Sequence, residues 1–312
     1  MLVTGAGGHV GGAIAARLAD AGHEVVGLGR RLLPSSALAE AVAVDLASRE
    51  AVAHVAARAP CDAIVHAAAA IDPDPHSLEV GRANCLGALN VHWLAEQWGA
   101  HRFVFISSVP VIGRPRSLPV DEDHPLDPPT AYHASKLFGE RLTALAAADG
   151  AAACSLRLTS PVGPGLPDGR IFSVFVRRAK AGQPLEVAGQ GTRAQDYVDV
   201  RDVAAAVAGA LEHGASGVFN VAAGRPVTNL DLARACVAAL GSESEVRTAV
   251  GADPDEGVRW EVSIERARRE LGYAPSCTLE DSIAGTAERG ERGLARAISR
   301  SPRREELRKN SG

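Results

Sequence analysis

Three groups of residues in this chain have types and spacings that could do chemistry. Tyr132 and Lys136 stand four apart in Tyr132-His133-Ala134-Ser135-Lys136, so on a helix they share one face. An ammonium beside a phenol favours the phenolate, and the spacing predicts a tyrosine drawn down from its ordinary value of about 10 toward use as proton donor and acceptor. Ser107-Ser108 closes the apolar run Phe103–Ile106. A hydroxyl at the end of such a strand can hold a carbonyl or alcohol oxygen; Ser108 takes that task here, and Ser107 a capping or turn role. Thr4-Gly5-Ala6-Gly7-Gly8-His9-Val10-Gly11 puts glycines at 5, 8 and 11 between a short apolar run and the helical stretch Ala13–Ala21. There a tight turn can bring backbone N–H groups and a helix N-terminus to a pyrophosphate, which makes this the dinucleotide cradle.

These groups need a scaffold that brings strand ends together. The runs Met1–Val3, Glu24–Val26, Ala41–Val44, Ala63–Val65, Phe103–Ile106 and Cys154–Leu158 alternate with Ala-rich helical stretches. That rhythm predicts an α/β fold, a doubly wound parallel sheet of the Rossmann type with a smaller C-terminal substrate lobe. The dinucleotide-binding domain is placed at 1–160, with return segments at about 194–223 that include a strand and helix over Ala194–Ala208 and a strand at Val218–Val221. A Pro/Gly-rich texture from about Ser160 onward marks an interleaved lobe at 161–285. Residues 286–312, with eight Lys/Arg against four Asp/Glu and fading apolar periodicity, read as a flexible tail. A first strand of only three residues points to a start upstream of Met1.

Composition narrows the class. With 46% hydrophobic and 22% charged residues over 312 positions, the chain can build a packed core, and a net charge of -4 gives no reason to expect nucleic acid. No run approaches a bilayer span and no signal peptide opens the chain, so the expectation is a cytoplasmic protein without membrane partners. Five scattered cysteines, Cys61, Cys85, Cys154, Cys236 and Cys277, form no C-x-x-C pair and argue against disulfides or a metal site. Apolar residues at helical spacing around Leu86-Leu89-Trp93-Leu94 and Leu137-Phe138-Leu142-Leu145 predict a homodimer.

The end of the second strand selects the dinucleotide, because an acidic residue there would bind ribose hydroxyls and repel a 2′-phosphate. It reads Gly29-Arg30-Arg31, with Ser35 and Ser36 nearby, which suits NADP in preference to NAD. Asp45, after the third strand, can accept from the adenine amino group.

The order Thr4-Gly-x-x-Gly-x-x-Gly11, Asp45-Leu46, His66-Ala67-Ala68-Ala69, Asn84, Ser107-Ser108, Tyr132-x-x-x-Lys136, Leu156-Arg157, Gly163-Pro164-Gly165, Asp196–Ala204 and Leu271-Gly272-Tyr273-x-Pro275 resembles the extended short-chain dehydrogenase/reductases, the NAD-dependent epimerase/dehydratase family. The resemblance implies that Ser108 orients the reacting oxygen, Tyr132 exchanges the proton, and Lys136 both tunes Tyr132 and binds the nicotinamide ribose. It implies a pyrophosphate on Gly8, His9, Val10 and Gly11, adenine on Asp45 and Leu46, and Ala67, Ala68, Asn84 and Thr159 along the rest of the cofactor. His66 is expected to be a packed core histidine.

Departures from the family pattern direct the choice of function. Members that eliminate water resemble one another in an Asp-Glu pair after the catalytic hydroxyl; Val109-Pro110 stands there and cannot move a proton. Members that bind nucleotide sugars carry Asn, Arg and an Arg-Pro-Gly-Asp stretch where this chain has Ser160, Gln195 and Asp253-Pro254-Asp255-Glu256-Gly257. Arg193, Arg170 or Arg259 could substitute, and Ser108, Ser160 and Arg193 form the candidate substrate set. With Arg30-Arg31 taken as an NADPH site, the first expectation is an NADPH-dependent ketoreductase of a sugar-like or other small carbonyl. An NAD-dependent (nucleotide-)sugar epimerase comes second, and a cofactor-sensing regulator without catalysis third.

Overall fold

The computed structural model describes residues 1–30 and 35–298, with side chains to Glu288. In chain order β1 (Leu2–Thr4), α1 (His9–Asp20), β2 (Val26–Gly29), β3 (Glu40–Ala43), α2 (Arg49–Ala56), β4 (Ala63–His66), α3 (Leu78–Trp98), β5 (Arg102–Ser108), a 3₁₀ turn (Val109–Ile112), α4 (Ala131–Ala148) and β6 (Ala152–Leu158) come first. They are followed by β7 (Ser160–Val162), α5 (Ile171–Lys180), β8 (Leu185–Glu186), β9 (Ala194–Asp199), α6 (Val200–His213), β10 (Gly217–Val221), β11 (Pro226–Thr228), α7 (Asn229–Ala239), β12 (Val246–Arg247), α8 (Glu265–Leu271) and α9 (Leu279–Ile298).

Seven strands form one parallel sheet in the order β10-β6-β5-β4-β1-β2-β3. All four residues of β4 are buried, as expected of a strand with helices on both faces. On one face Ile14 and Leu18 of α1 pack with Val203, Val207 and Leu211 of α6; on the other, Val52 and Val55 of α2 and Val91 and Leu94 of α3 meet Phe103 and Phe105 of β5. Each such side chain, fully buried, stabilises the fold by roughly 1.5–3 kcal/mol. Gly139 lets α4 lie close on β5, since a Cβ there would stand 2.2 Å from the Phe105 ring. The strand order reverses between β1 and β4, which opens a crevice at their carboxyl ends.

The lobe has a three-stranded sheet, β11-β9-β7, and a two-stranded one, β12-β8. Helices α5, α7 and α9 close over Phe172, Phe175, Tyr197, Leu232 and Ile283.

Three expectations are corrected. First, β9 does not return to the main sheet: it pairs antiparallel with β11 and parallel with β7, while β10 takes the edge beside β6. Second, α1 begins at His9 rather than Ala13, so the last glycine of the loop, Gly11, lies inside the helix. Third, α9 runs to Ile298, into the stretch read as tail from 286. Its composition of Ala, Glu and Arg favours helix as strongly as it favours solvent. The rest of that tail, 299–312, lies outside the described residues. Among the described residues no helix is long and apolar enough to cross a membrane, and all five cysteines are free.

Candidate active site

The glycine turn leaves β1 and α1 begins on it. Gly5 sits at φ +70, donates its N–H to the Leu28 carbonyl at 2.7 Å, and lies so near the chain beyond β4 that a Cβ would be 2.8 Å from Ala68. At Gly11 a Cβ would be 2.2 Å from the Gly5 carbonyl oxygen. Both positions therefore require glycine, and the turn brings Gly5 and Ala68 to the two sides of the crevice. Thr4 secures that arrangement: its hydroxyl bonds His66 Nδ1 at 2.7 Å and accepts from the Ala68 N–H at 3.1 Å. His66 is buried, and burial with the nearby Lys136 and His92 holds its pKa well below the ordinary range, as a packed neutral histidine requires.

Helix α1 has Gly8 as its N-cap, with no side-chain cap and no acidic residue in its first turn. Helices α2, α3, α4, α6 and α7 are instead capped by Ser48, Ser77, Thr130, Asp199 and Thr228. The α1 terminus, with its positive dipole end and backbone N–H groups at His9, Val10 and Gly11, fits a dinucleotide pyrophosphate. Asn84 of α3 grips the same rim, accepting from Ala70 N–H at 2.7 Å and donating to the Ala70 carbonyl and Ser135 Oγ, each at 3.1 Å. It acts on the loop beyond Ala67 and Ala68 as a clamp. Asp45 lies exposed after β3, and Leu46 is buried beneath it with its carbonyl taken by Asn90. Arg30 is exposed at the end of β2; Arg31 lies outside the described residues.

Ser108 ends β5 and opens the 3₁₀ turn without capping it through its side chain. Ser107, expected to cap or turn, instead points inward and donates to Glu140 Oε1 at 2.6 Å. Glu140 also receives a two-pronged ion pair from Arg157 of β6, Nε to Oε1 at 2.9 Å and Nη2 to Oε2 at 2.8 Å, with both side chains only 4% exposed. Sequence reasoning missed this network, although Glu140 lies four residues beyond Lys136 on the same helix face. It ties the end of β5 to α4 and β6.

Tyr132 and Lys136 sit on the first turns of α4, with Lys136 Nζ 5.6 Å from the Tyr132 ring centroid. The ammonium donates to the Ile106 carbonyl at 2.8 Å, two residues before Ser108, so strand end and helix face are joined. Burial lowers Lys136 to about 8, against the upward pull of Glu140. Burial also pushes Tyr132 up to about 12, and the opposing field comes from Arg170. The direction is opposite to the expectation that Lys136 draws the phenol down: in a desolvated site the cost of forming the phenolate outweighs the field of nearby cations.

On the lobe side, Thr159 donates its hydroxyl to Asp196 Oδ1 at 3.1 Å. Ser160 donates to Gln195 Oε1, also at 3.1 Å. Arg193 faces Asp255 at 3.4 Å and Asp253 at 3.9 Å, so its charge is already matched within the chain.

A parallel sheet with an uncapped helix at its switch point and a Ser/Tyr/Lys group one strand away defines a dinucleotide-dependent α/β protein. The chain belongs to the NAD dependent epimerase/dehydratase family, whose model matches residues 1–222. It is an enzyme of the extended short-chain dehydrogenase type. It is 30% identical to a UDP-glucose 4-epimerase of Mycolicibacterium smegmatis over 92% of this chain and 97% of that protein. It is 29% identical to a dTDP-glucose 4,6-dehydratase of Streptomyces niveus over 73% of this chain and 69% of the other. Among solved structures, a UDP-glucose-4-epimerase from Stenotrophomonas maltophila with bound NAD and formylated UDP-arabinopyranose superposes with a TM-score of 0.83 at 26% identity, covering 95% and 98% of the two chains.

Proposed function

We propose that this chain is an NAD(P)-dependent epimerase that oxidises a secondary alcohol of a sugar-like substrate and reduces the resulting ketone from either face. This places the second expectation from the sequence above the first. The observation that carries it is the pairing of the complete Ser108/Tyr132/Lys136 group with full-length similarity to 4-epimerases. The dinucleotide supplies the hydride acceptor and donor. Ser108 holds the reacting oxygen at the end of β5, and Tyr132 takes or returns its proton. Lys136, fixed by Ile106, holds a positive charge beside the phenol. The acid and base pair expected for elimination of water is replaced after Ser108 by Val109, which is buried, and Pro110, which has no titratable group.

A second reading rests on Arg30. No acidic side chain ends β2, and the exposed guanidinium suits a 2′-phosphate, which favours an exchanging NADPH and net reduction of a carbonyl. One experiment separates the readings. Purified protein is incubated with hexoses and UDP-hexoses, and products are followed by NMR together with cofactor absorbance. Interconversion of stereoisomers without net cofactor consumption supports the epimerase. Stoichiometric NADPH oxidation would transfer the assignment to the ketoreductase.

A further inference from the structure

Residues alternate faces along β9, so Arg193 at its threshold, Gln195 and Tyr197 share one side. Ser160 pairs with Tyr197 in register on β7 and bonds Gln195 through its side chain, which makes that pair neutral and mutually satisfied. Across from it runs the acidic segment Asp253-Pro254-Asp255-Glu256. Asp255 and Asp253 neutralise Arg193, and Asp255 also holds Arg114, six residues beyond Ser108, at 2.6 Å. The Glu256 carboxylate occupies the backbone turn at 189–192, accepting from the N–H groups of Gln190 and Thr192 at 2.8 Å each and from the Thr192 hydroxyl. Arg193, Arg114 and an anion-receptive turn on this wall are thus filled by the chain's own carboxylates. Asp253 and Asp255 match both guanidiniums, which leaves neither Arg193 nor Arg114 free for further negative charge.

We infer that Asp253 and Asp255, by holding Arg193 and Arg114, exclude a nucleoside diphosphate from this wall. The inference rests on the redox reading above only in taking this face as the substrate side. A diphosphate would have to break the ion pairs of Arg193 and Arg114 and approach the carboxylates that hold them.

The test is a calorimetric titration of UDP, and separately UDP-glucose, into the full chain saturated with NADP or NAD. The parent protein is expected to show no saturable binding at submillimolar concentration. Asp253→Asn with Asp255→Asn keeps shape and hydrogen-bonding capacity but frees both guanidiniums, and is expected to bind UDP about tenfold tighter or more. An unchanged melting temperature and dinucleotide affinity certify the fold of the variant. Submillimolar UDP binding by the parent would overturn the proposal. An absence of gain in the folded variant would overturn it too, because the exclusion would then not arise from these carboxylates. The readout is binding without turnover, so a failure of the epimerase reading leaves this answer intact.

Discussion

Tyr132 carries the sharpest consequence at the scale of single residues. With its phenol pushed up to about 12, it is protonated at neutral pH and poised as a donor; the oxidising direction needs the phenolate and should accelerate as pH rises. Tyr132→Phe removes one hydroxyl and is expected to lower turnover by about 10²–10⁴-fold while leaving dinucleotide binding unchanged. Steady-state rates with whichever alcohol or ketone proves active, alongside a cofactor titration, check this. Arg30 makes a separate claim. Its loss in Arg30→Ala should weaken NADPH by roughly tenfold to a hundredfold and NADH hardly at all. Equal affinities of the parent for the two cofactors would remove the 2′-phosphate site.

Helix α4 is the element on which the site depends. Gly139 brings it against β5, Glu140 anchors it to Ser107 and Arg157, and Lys136 is thereby buried with its ammonium on the Ile106 carbonyl. A buried ion pair such as Glu140–Arg157 adds little net stability but fixes geometry, since removing either partner strands the other charge. Lys136 also gives the helix a pH signature. Its pKa is about 8 in the fold against an ordinary value of 10.5, so between these values the unfolded chain binds more protons and stability rises with pH. Below that window the buried ammonium is a liability of about 3 kcal/mol. Lys136→Met, which cannot titrate, is therefore expected to be more stable than the parent at pH 7, with the gap closing toward pH 10. Denaturant unfolding of both proteins across that range tests it, and parallel pH profiles would contradict the burial of the charge.

For the molecule as a whole, the face of α3 and α4 away from the sheet bears on assembly. Leu89 and Leu145 are 42% and 63% exposed there. Leu94, counted with this stripe in the sequence, is fully buried in the core, and Trp93 lies under the Arg49 guanidinium at 3.6 Å. The remaining apolar face still supports the proposal of a homodimer through these two helices. Light scattering at micromolar concentration should give twice the chain mass, and Leu89→Glu with Leu145→Glu should halve it. A monomeric parent would end the proposal.

Local patterns made much of this protein legible before any coordinates. The glycine spacing from Gly5 to Gly11, the strand-end Ser108 and the four-residue step from Tyr132 to Lys136 follow from turn sterics and helix period, and a parallel sheet is written in runs apolar on both faces. Tertiary structure decided what depends on distant partners. It turned Ser107 to Glu140, paired Glu140 with Arg157 from another strand, and set the phenol of Tyr132 by burial rather than by Lys136. It assigned β9 to the lobe because β10 already held the edge of β6. It also folded Asp253 and Asp255 onto Arg193 and Arg114, some 60 and 140 positions earlier in the chain. Periodicity carries information over a few residues; desolvation, strand-edge competition and ion pairing are settled only when the whole chain has closed.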